Sequence, residues 1–218
     1  MSKNLLKASI ILNLLTFTLV LIGIIITFTI GTGALASNKI DVFKFFTLQS
    51  NVLMAAISLV VAFYQFKILK GKINELPYPL VIMNFIAVTG IAITFFIVVT
   101  FLGGLYGYDK MYNKANLFFH LLAPVCAIAN FLFIECDRKV EFKFTPLALL
   151  HCFIYGIVYF IVVAANNAYG NLDIDFYGFG TGGPLRGVLN FSIVLVFAYA
   201  IAMLLYYVNI LVFKKRRK

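Results

Sequence analysis

Tryptophan is absent from this chain of 218 residues, and charge is scarce. Charged residues make up 12% of it, where a soluble domain carries about 25%. Only eight are acidic: Asp41, Glu75, Asp109, Glu135, Asp137, Glu141, Asp173 and Asp175. Each falls in an expected loop or at the end of an apolar run. With no carboxylate at the centre of a run, a proton-coupled pump or ion transporter is disfavoured, because such proteins typically need one there. A paired-carboxylate mechanism inside the membrane is excluded for the same reason. The three cysteines, Cys126, Cys136 and Cys152, are odd in number and fall in the middle or cytoplasmic half of their runs, so no disulfide framework is expected. Cys136, His151 and Cys152 are expected near the cytoplasmic face, but their spacing matches no metal motif and they read as inert buried residues. Neither a metal nor a cofactor is expected, and there is no repeat, low-complexity segment or soluble domain.

What is present is apolar. Hydrophobic residues make up 63% of the chain, and the mean hydropathy is +1.01. Six apolar runs stand out, at roughly 8–30, 45–66, 79–102, 116–134, 146–165 and 188–212. Each is long enough to cross a hydrocarbon core of about 30 Å as a helix. The expected fold is a single all-α membrane domain, a bundle of six transmembrane helices. Of the 18 Lys and Arg residues, those flanking the two termini and the second and fourth loops outnumber the rest by thirteen to five, which places both termini in the cytoplasm. The net charge of +10 is spread over these flanks, so no nucleic-acid partner is expected. The segment Ala34–Ser37, "ALAS", resembles a signal-peptidase site, but the run before it is too long for a signal peptide and reads as a retained anchor. The closing "KKRRK" reads as a topological anchor beside anionic headgroups. The localisation expected is the cell membrane, multi-pass.

Polar residues inside the runs are few, so their positions are informative. In "FKFFTLQSNVL", residues 43–53, Thr47, Ser50 and Asn51 stand at i, i+3 and i+4 and share one helical face, while Gln49 points elsewhere. The second helix starts outside near Lys44, which puts Thr47 about one turn below the outer interface. The fourth helix also starts outside, and His120 stands one turn below Asn116, at a depth matching Thr47. Pro124 denies an N–H to the carbonyl of His120, so a kink is expected there. A threonine in a membrane helix usually bonds its own i−4 carbonyl, Ser and Asn on one face usually serve helix packing, and a lone His is more often a satisfied interior residue than a catalyst. Against these stands the pairing at one depth of a hydroxyl, a weak nucleophile until a base takes its proton, with an imidazole, the natural base. No acid is available to orient the ring, which leaves Asn116 or Asn51 for that task.

The segments "FKFFTLQSN", "AVTG" (Ala87 to Gly90) and "HLLAP" resemble the bacterial branch of the androgen-induced / FAR-17a-like family of six-helix membrane proteins. Animal members of that family are threonine hydrolases that cleave fatty acid esters of hydroxy fatty acids. Carried over by motif, the resemblance implies Thr47 as nucleophile and His120 as base. The last outer loop departs from the family: where a Tyr-Pro-Phe-type segment is usual, this chain has "DFYGFGTGGPLRG". The glycine run 178–183 reads as a flexible turn and matches no phosphate-binding pattern. Arg186, with Asn190 one turn below, either receives a lipid carboxylate or phosphate or is a snorkelling interfacial cation.

The expected function is therefore an intramembrane threonine hydrolase acting on a long-chain lipid ester. Thr47 and His120 are the catalytic pair, and Ser50, Asn51, Asn116, Arg186 and Asn190 are the candidate orienting or substrate-binding groups. Membrane lipids are the expected partners. The alternative is a non-enzymatic carrier or sensor that binds a lipid or small solute through Asn51, Asn116 and His120. Asn84, His151 and Tyr155 offer such a carrier a second polar cluster in the inner half.

Overall fold

The computed structural model of the chain describes residues 2–30, 39–135 and 139–216. Ala34–Ser37 and Cys136 lie outside the described residues. Six helices are long and apolar enough to span a membrane: α1 (Lys3–Thr29), α2 (Phe46–Leu69), α3 (Tyr78–Tyr106), α4 (Ala115–Ile134), α5 (Phe142–Ala165) and α6 (Pro184–Arg216). No strand occurs among the described residues. The all-α, six-span architecture expected from the apolar runs is the one observed. Six crossings return the chain to the end where it began. That end is the terminal end, and the other, which holds the α1–α2, α3–α4 and α5–α6 loops, is the distal end.

α3 is the central helix. It packs against α2, α4, α5 and α6, and Phe85, Ala87, Val88, Ile91 and Ala92 on it are fully buried. A continuous apolar run with small residues suits a helix surrounded by others, because lipid offers no hydrophobic gain and close packing must hold the bundle together. α1 packs mainly on α2 and α4 through Ser9, Asn13, Thr16, Val20, Gly23 and Thr27, spaced at helical intervals, and turns Ile11 and Ile25 outward. Gly23 is needed there, because an added Cβ would stand 2.7 Å from the Phe119 ring of α4. Gly156 has the same role where α5 meets α6, with the Phe191 ring 2.0 Å from the position of such a Cβ.

Three π-helical turns interrupt the spans, at Val98–Leu102, Phe118–Leu122 and Asn130–Ile134. Such turns insert one residue into the helical register and recur at functional sites. The second lies where the sequence suggested a proline kink. The Ala123 N–H reaches back five residues to the Phe118 carbonyl. The next N–H in line, for the Phe119 carbonyl, would come from residue 124, which is proline. The shift in register thus makes Phe119 the carbonyl orphaned by Pro124, where α-helical spacing would have chosen His120.

α5 opens with eight residues of tight 3-10 helix, Phe142–Leu149, around Pro146. At about 2.0 Å per residue against 1.5 Å, and starting four residues earlier than the apolar run suggested, this stretch carries His151 well into the bundle. His151 stacks on Phe46, at the distal end of α2, with ring centroids 4.9 Å apart. It does not lie near the terminal face, where the sequence reading placed it.

Candidate functional site

The distal end of α2 is held from several sides. Phe45 precedes the helix with extended backbone and supplies no side-chain cap. The first N–H, of Phe46, donates instead to the Tyr177 hydroxyl at 2.9 Å. The Tyr155 hydroxyl donates to the Lys44 carbonyl at 2.6 Å, and Gln49 Nε2 donates to the Phe43 carbonyl at 2.9 Å. Tyr177 serves here as the missing cap. The loop that carries it is not loose. The Asp175 carboxylate is buried, accepts from the Tyr159 hydroxyl and takes the Gly180 N–H at 2.9 Å. Lys44 lies over the Phe176 ring, 5.0 Å from its centroid.

Thr47 is the second residue of α2 and is partly exposed. Its hydroxyl makes no hydrogen bond among the described residues, and neither does its backbone N–H, one of the donors that every helix start leaves over. Its carbonyl is crowded: Ser50 Oγ donates to it at 3.0 Å and Asn51 Nδ2 at 2.8 Å. The same Asn51 nitrogen donates to the Phe119 carbonyl at 3.0 Å. This second bond captures the carbonyl that Pro124 orphans. Asn51 is fully buried and clamps the first turn of α2 to the turn of α4 that carries His120.

His120 is 6% exposed, and its Nδ1 lies 2.8 Å from the Met111 carbonyl. A carbonyl only accepts, so Nδ1 carries the proton, and in the neutral ring Nε2 is left with its lone pair. Met111 belongs to a single helical turn, Tyr108–Met111, between α3 and α4, and is itself buried. The orienting group is therefore a main-chain carbonyl, which no side-chain pattern could reveal. Asn116, expected in that role, reaches only the Lys110 carbonyl, at 3.5 Å. Asn51, the other candidate, bonds backbone and not the ring. No hydrogen bond joins Thr47 to His120; the structure brings their helical turns together through Asn51.

Ser50 is fully buried and shares a 3.1 Å hydrogen bond with the Thr94 hydroxyl of α3. It stands beside Gly90, whose added Cβ would meet His151 Nδ1 at 3.0 Å and Ser50 Cβ at 3.5 Å. Arg186 and Asn190 are not brought to Thr47 or His120. Arg186 is exposed and lies against Gly182, and Asn190 Nδ2 holds the loop through the Phe179 carbonyl at 3.0 Å.

A second polar cluster stands at the terminal end; of the inner-half cluster Asn84, His151 and Tyr155 that the sequence offers a carrier, it contains Asn84 alone, because His151 and Tyr155 lie against Phe46 and Lys44. The Glu135 carboxylate is turned into the bundle and gathers donors from four helices. Oε1 accepts from Ser9 Oγ at 3.1 Å, Asn13 Nδ2 at 2.5 Å, Gln65 Nε2 at 3.2 Å and Asn130 Nδ2 at 3.1 Å, and Oε2 accepts from Asn84 Nδ2 at 2.6 Å. Reading Glu135 as an ordinary helix-end acid needs that correction. The π turn is the cause. The Glu135 N–H bonds the Asn130 carbonyl at 2.8 Å, which stacks residue 135 over residue 130; α-helical spacing would set them about 140° apart. The sequence did carry a signal. Ser9, Asn13, Gln65, Asn84 and Asn130 are donors at one depth of four apolar helices, and such donors need an acceptor.

Searches against family models, curated proteins and solved structures returned no match to this chain.

Proposed function

We propose that this chain is a multi-pass hydrolase of bacterial cell membranes that cleaves a long-chain lipid ester, with Thr47 as nucleophile and His120 as general base. The observation that carries this reading is the Asn51 clamp, which holds the turn of Thr47 against the turn of His120. Two features support it. The Met111 carbonyl fixes the tautomer in which Nε2 accepts a proton. Thr47 also opens a helix, so its own unpaired N–H and the positive helix end can stabilise an oxyanion formed on its hydroxyl's target. The resemblance to the androgen-induced / FAR-17a-like family points the same way.

In the reaction, Thr47 Oγ1 attacks the ester carbonyl carbon while His120 Nε2 takes the hydroxyl proton. As the tetrahedral intermediate collapses, Nε2 returns that proton to the departing alcohol. Water, deprotonated by the same nitrogen, then releases the fatty acid and restores the hydroxyl. Phe45 and Phe118, both partly exposed, offer apolar contacts for an acyl chain, whereas Phe46 and Phe119 are buried within the bundle.

The test uses purified protein in nanodiscs with fluorogenic long-chain esters. Thr47→Ala and His120→Ala should each remove nearly all turnover, and the double variant should lose little more, because the two act as a unit. Thr47→Ser should keep part of it. A folded Thr47→Ala protein with wild-type turnover would refute the assignment. A wild type that binds lipid yet turns over no ester would favour the carrier or sensor alternative.

A further inference from the structure

The outward face shared by α1 and α2 carries an open groove of about 400 Å³, lined by Leu14 of α1 and by Leu59, Val60, Ala62, Phe63 and Phe66 of α2. Every lining side chain is apolar, and all but Ala62 are exposed. The groove lies in the terminal half of both helices. From Leu59 to Phe66 it follows α2 for about 10 Å at 1.5 Å per residue, most of the ~15 Å that one leaflet contributes to a hydrocarbon core.

The terminal end of the groove is basic. Lys67 Nζ stands 4.5 Å from the centroid of the Phe63 ring and 5.0 Å from that of Tyr64. The cation is thus held against a side chain that itself lines the groove. A ring face attracts the charge but takes no conventional hydrogen bond, so the ammonium keeps its three donors for an acceptor. Helical spacing brings two more lysines to the same end. Lys70 stands one turn beyond Phe66 on α2, and Lys7 stands two turns from Leu14 on α1, both in the terminal direction. Lys7 and Lys70 are exposed. Among the described residues the ion pair is Lys143 with Glu141, at 2.8 Å, and none of these three lysines has a carboxylate partner. Three uncompensated positive charges at one end of an apolar groove match a molecule that is negative at one end and apolar along the rest.

We infer that the α1–α2 groove binds an acyl chain of an anionic phospholipid in the leaflet on the terminal side, with Lys67 on the headgroup phosphate and Lys7 and Lys70 beside it. Because both helices line the groove, a bound chain bridges them and stabilises their contact. Occupancy of this site is independent of ester hydrolysis at the distal end.

Full-length protein in detergent, titrated with phosphatidylglycerol or with phosphatidylcholine of the same acyl chains, tests this by native mass spectrometry and thermal unfolding. Phosphatidylglycerol should be retained and should raise the melting temperature saturably, and phosphatidylcholine should do neither at the same concentration. Glycerol phosphate, which carries the charge without the chains, should not protect. Lys67→Gln should weaken phosphatidylglycerol binding roughly fivefold. Lys215→Gln, which removes the same charge from α6, a helix packed on α3, α4 and α5, should not. Val60→Trp, which fills the groove from its exposed side and leaves the lysines in place, should also weaken retention. Equal retention of the two lipids by the wild type would overturn the inference whether or not the variants fold. So would a Lys67→Gln protein that loses no more binding than Lys215→Gln, or full protection by glycerol phosphate alone.

Discussion

Asn51→Leu keeps the number and branching of the side-chain heavy atoms and removes both hydrogen bonds of the clamp, and its two losses are unequal. The Thr47 carbonyl retains the Ser50 hydroxyl, so that loss should sit near the ~0.6 kcal/mol average for interhelical hydrogen bonds in membranes. The Phe119 carbonyl has no substitute, because residue 124 is proline and the Ala123 N–H serves Phe118. An orphaned buried carbonyl costs about 1–3 kcal/mol. The expected destabilisation is therefore about 2 kcal/mol, or a melting temperature lower by roughly 4–8 °C for a chain of this size. Pro124→Ala isolates the cause, since it restores an N–H that can serve Phe119. In that background Asn51→Leu should cost at least about 1 kcal/mol less, measured by thermal or SDS unfolding in a double-mutant cycle. Additivity of the two changes within about 0.5 kcal/mol would refute the link between Pro124, the π turn and Asn51.

Other outcomes follow from the same geometry. Gly156→Ala sets a Cβ 2.0 Å from the Phe191 ring, and overpacking at the α5–α6 contact should cost about 1–3 kcal/mol in the same unfolding assay; Gly104→Ala, with open space around it, is the control. Tyr177→Phe removes the acceptor of the Phe46 N–H and should cost about 0.5–2 kcal/mol, as a lost helix cap does, with a fall in ester turnover. Turnover should also decline on acidification, because the imidazolium of His120 has no lone pair to accept the Thr47 proton; a rate independent of acid would argue against His120 as base. Cysteines placed at Asn113 and Asn171 in a cysteine-free background should react with an impermeant maleimide in intact cells, and one at Asn74 should not. Labelling of Asn74 before lysis would reverse the proposed orientation.

The six spans were legible because apolar runs of about 19 to 25 residues leave a membrane chain few alternatives to a helix. The alignment of Thr47 with Asn51 was legible too, since four residues make one helical turn. What hydropathy and α-helical periodicity could not show is where that periodicity fails. The π turn before Pro124 decides which carbonyl Asn51 must serve. The π turn at Asn130 swings Glu135 from the interface into the bundle, and the 3-10 start of α5 moves His151 from the terminal face to Phe46. The orienting group of His120 is a backbone carbonyl, invisible to side-chain reasoning. The amides around Glu135 were each visible alone; only their shared depth called for a carboxylate among them.

The central claim is that Thr47 is a nucleophile, and the most direct measurement is the site of covalent modification. Purified protein in nanodiscs, treated with a lipophilic fluorophosphonate, is digested and mapped by mass spectrometry. A Thr47 nucleophile places the adduct on the Thr47 hydroxyl, with Thr47→Ala unlabelled, His120→Ala labelled far more slowly, and Ser50→Ala labelled like wild type. An adduct on Ser50, or a wild-type protein that hydrolyses ester without any adduct at Thr47, would contradict it.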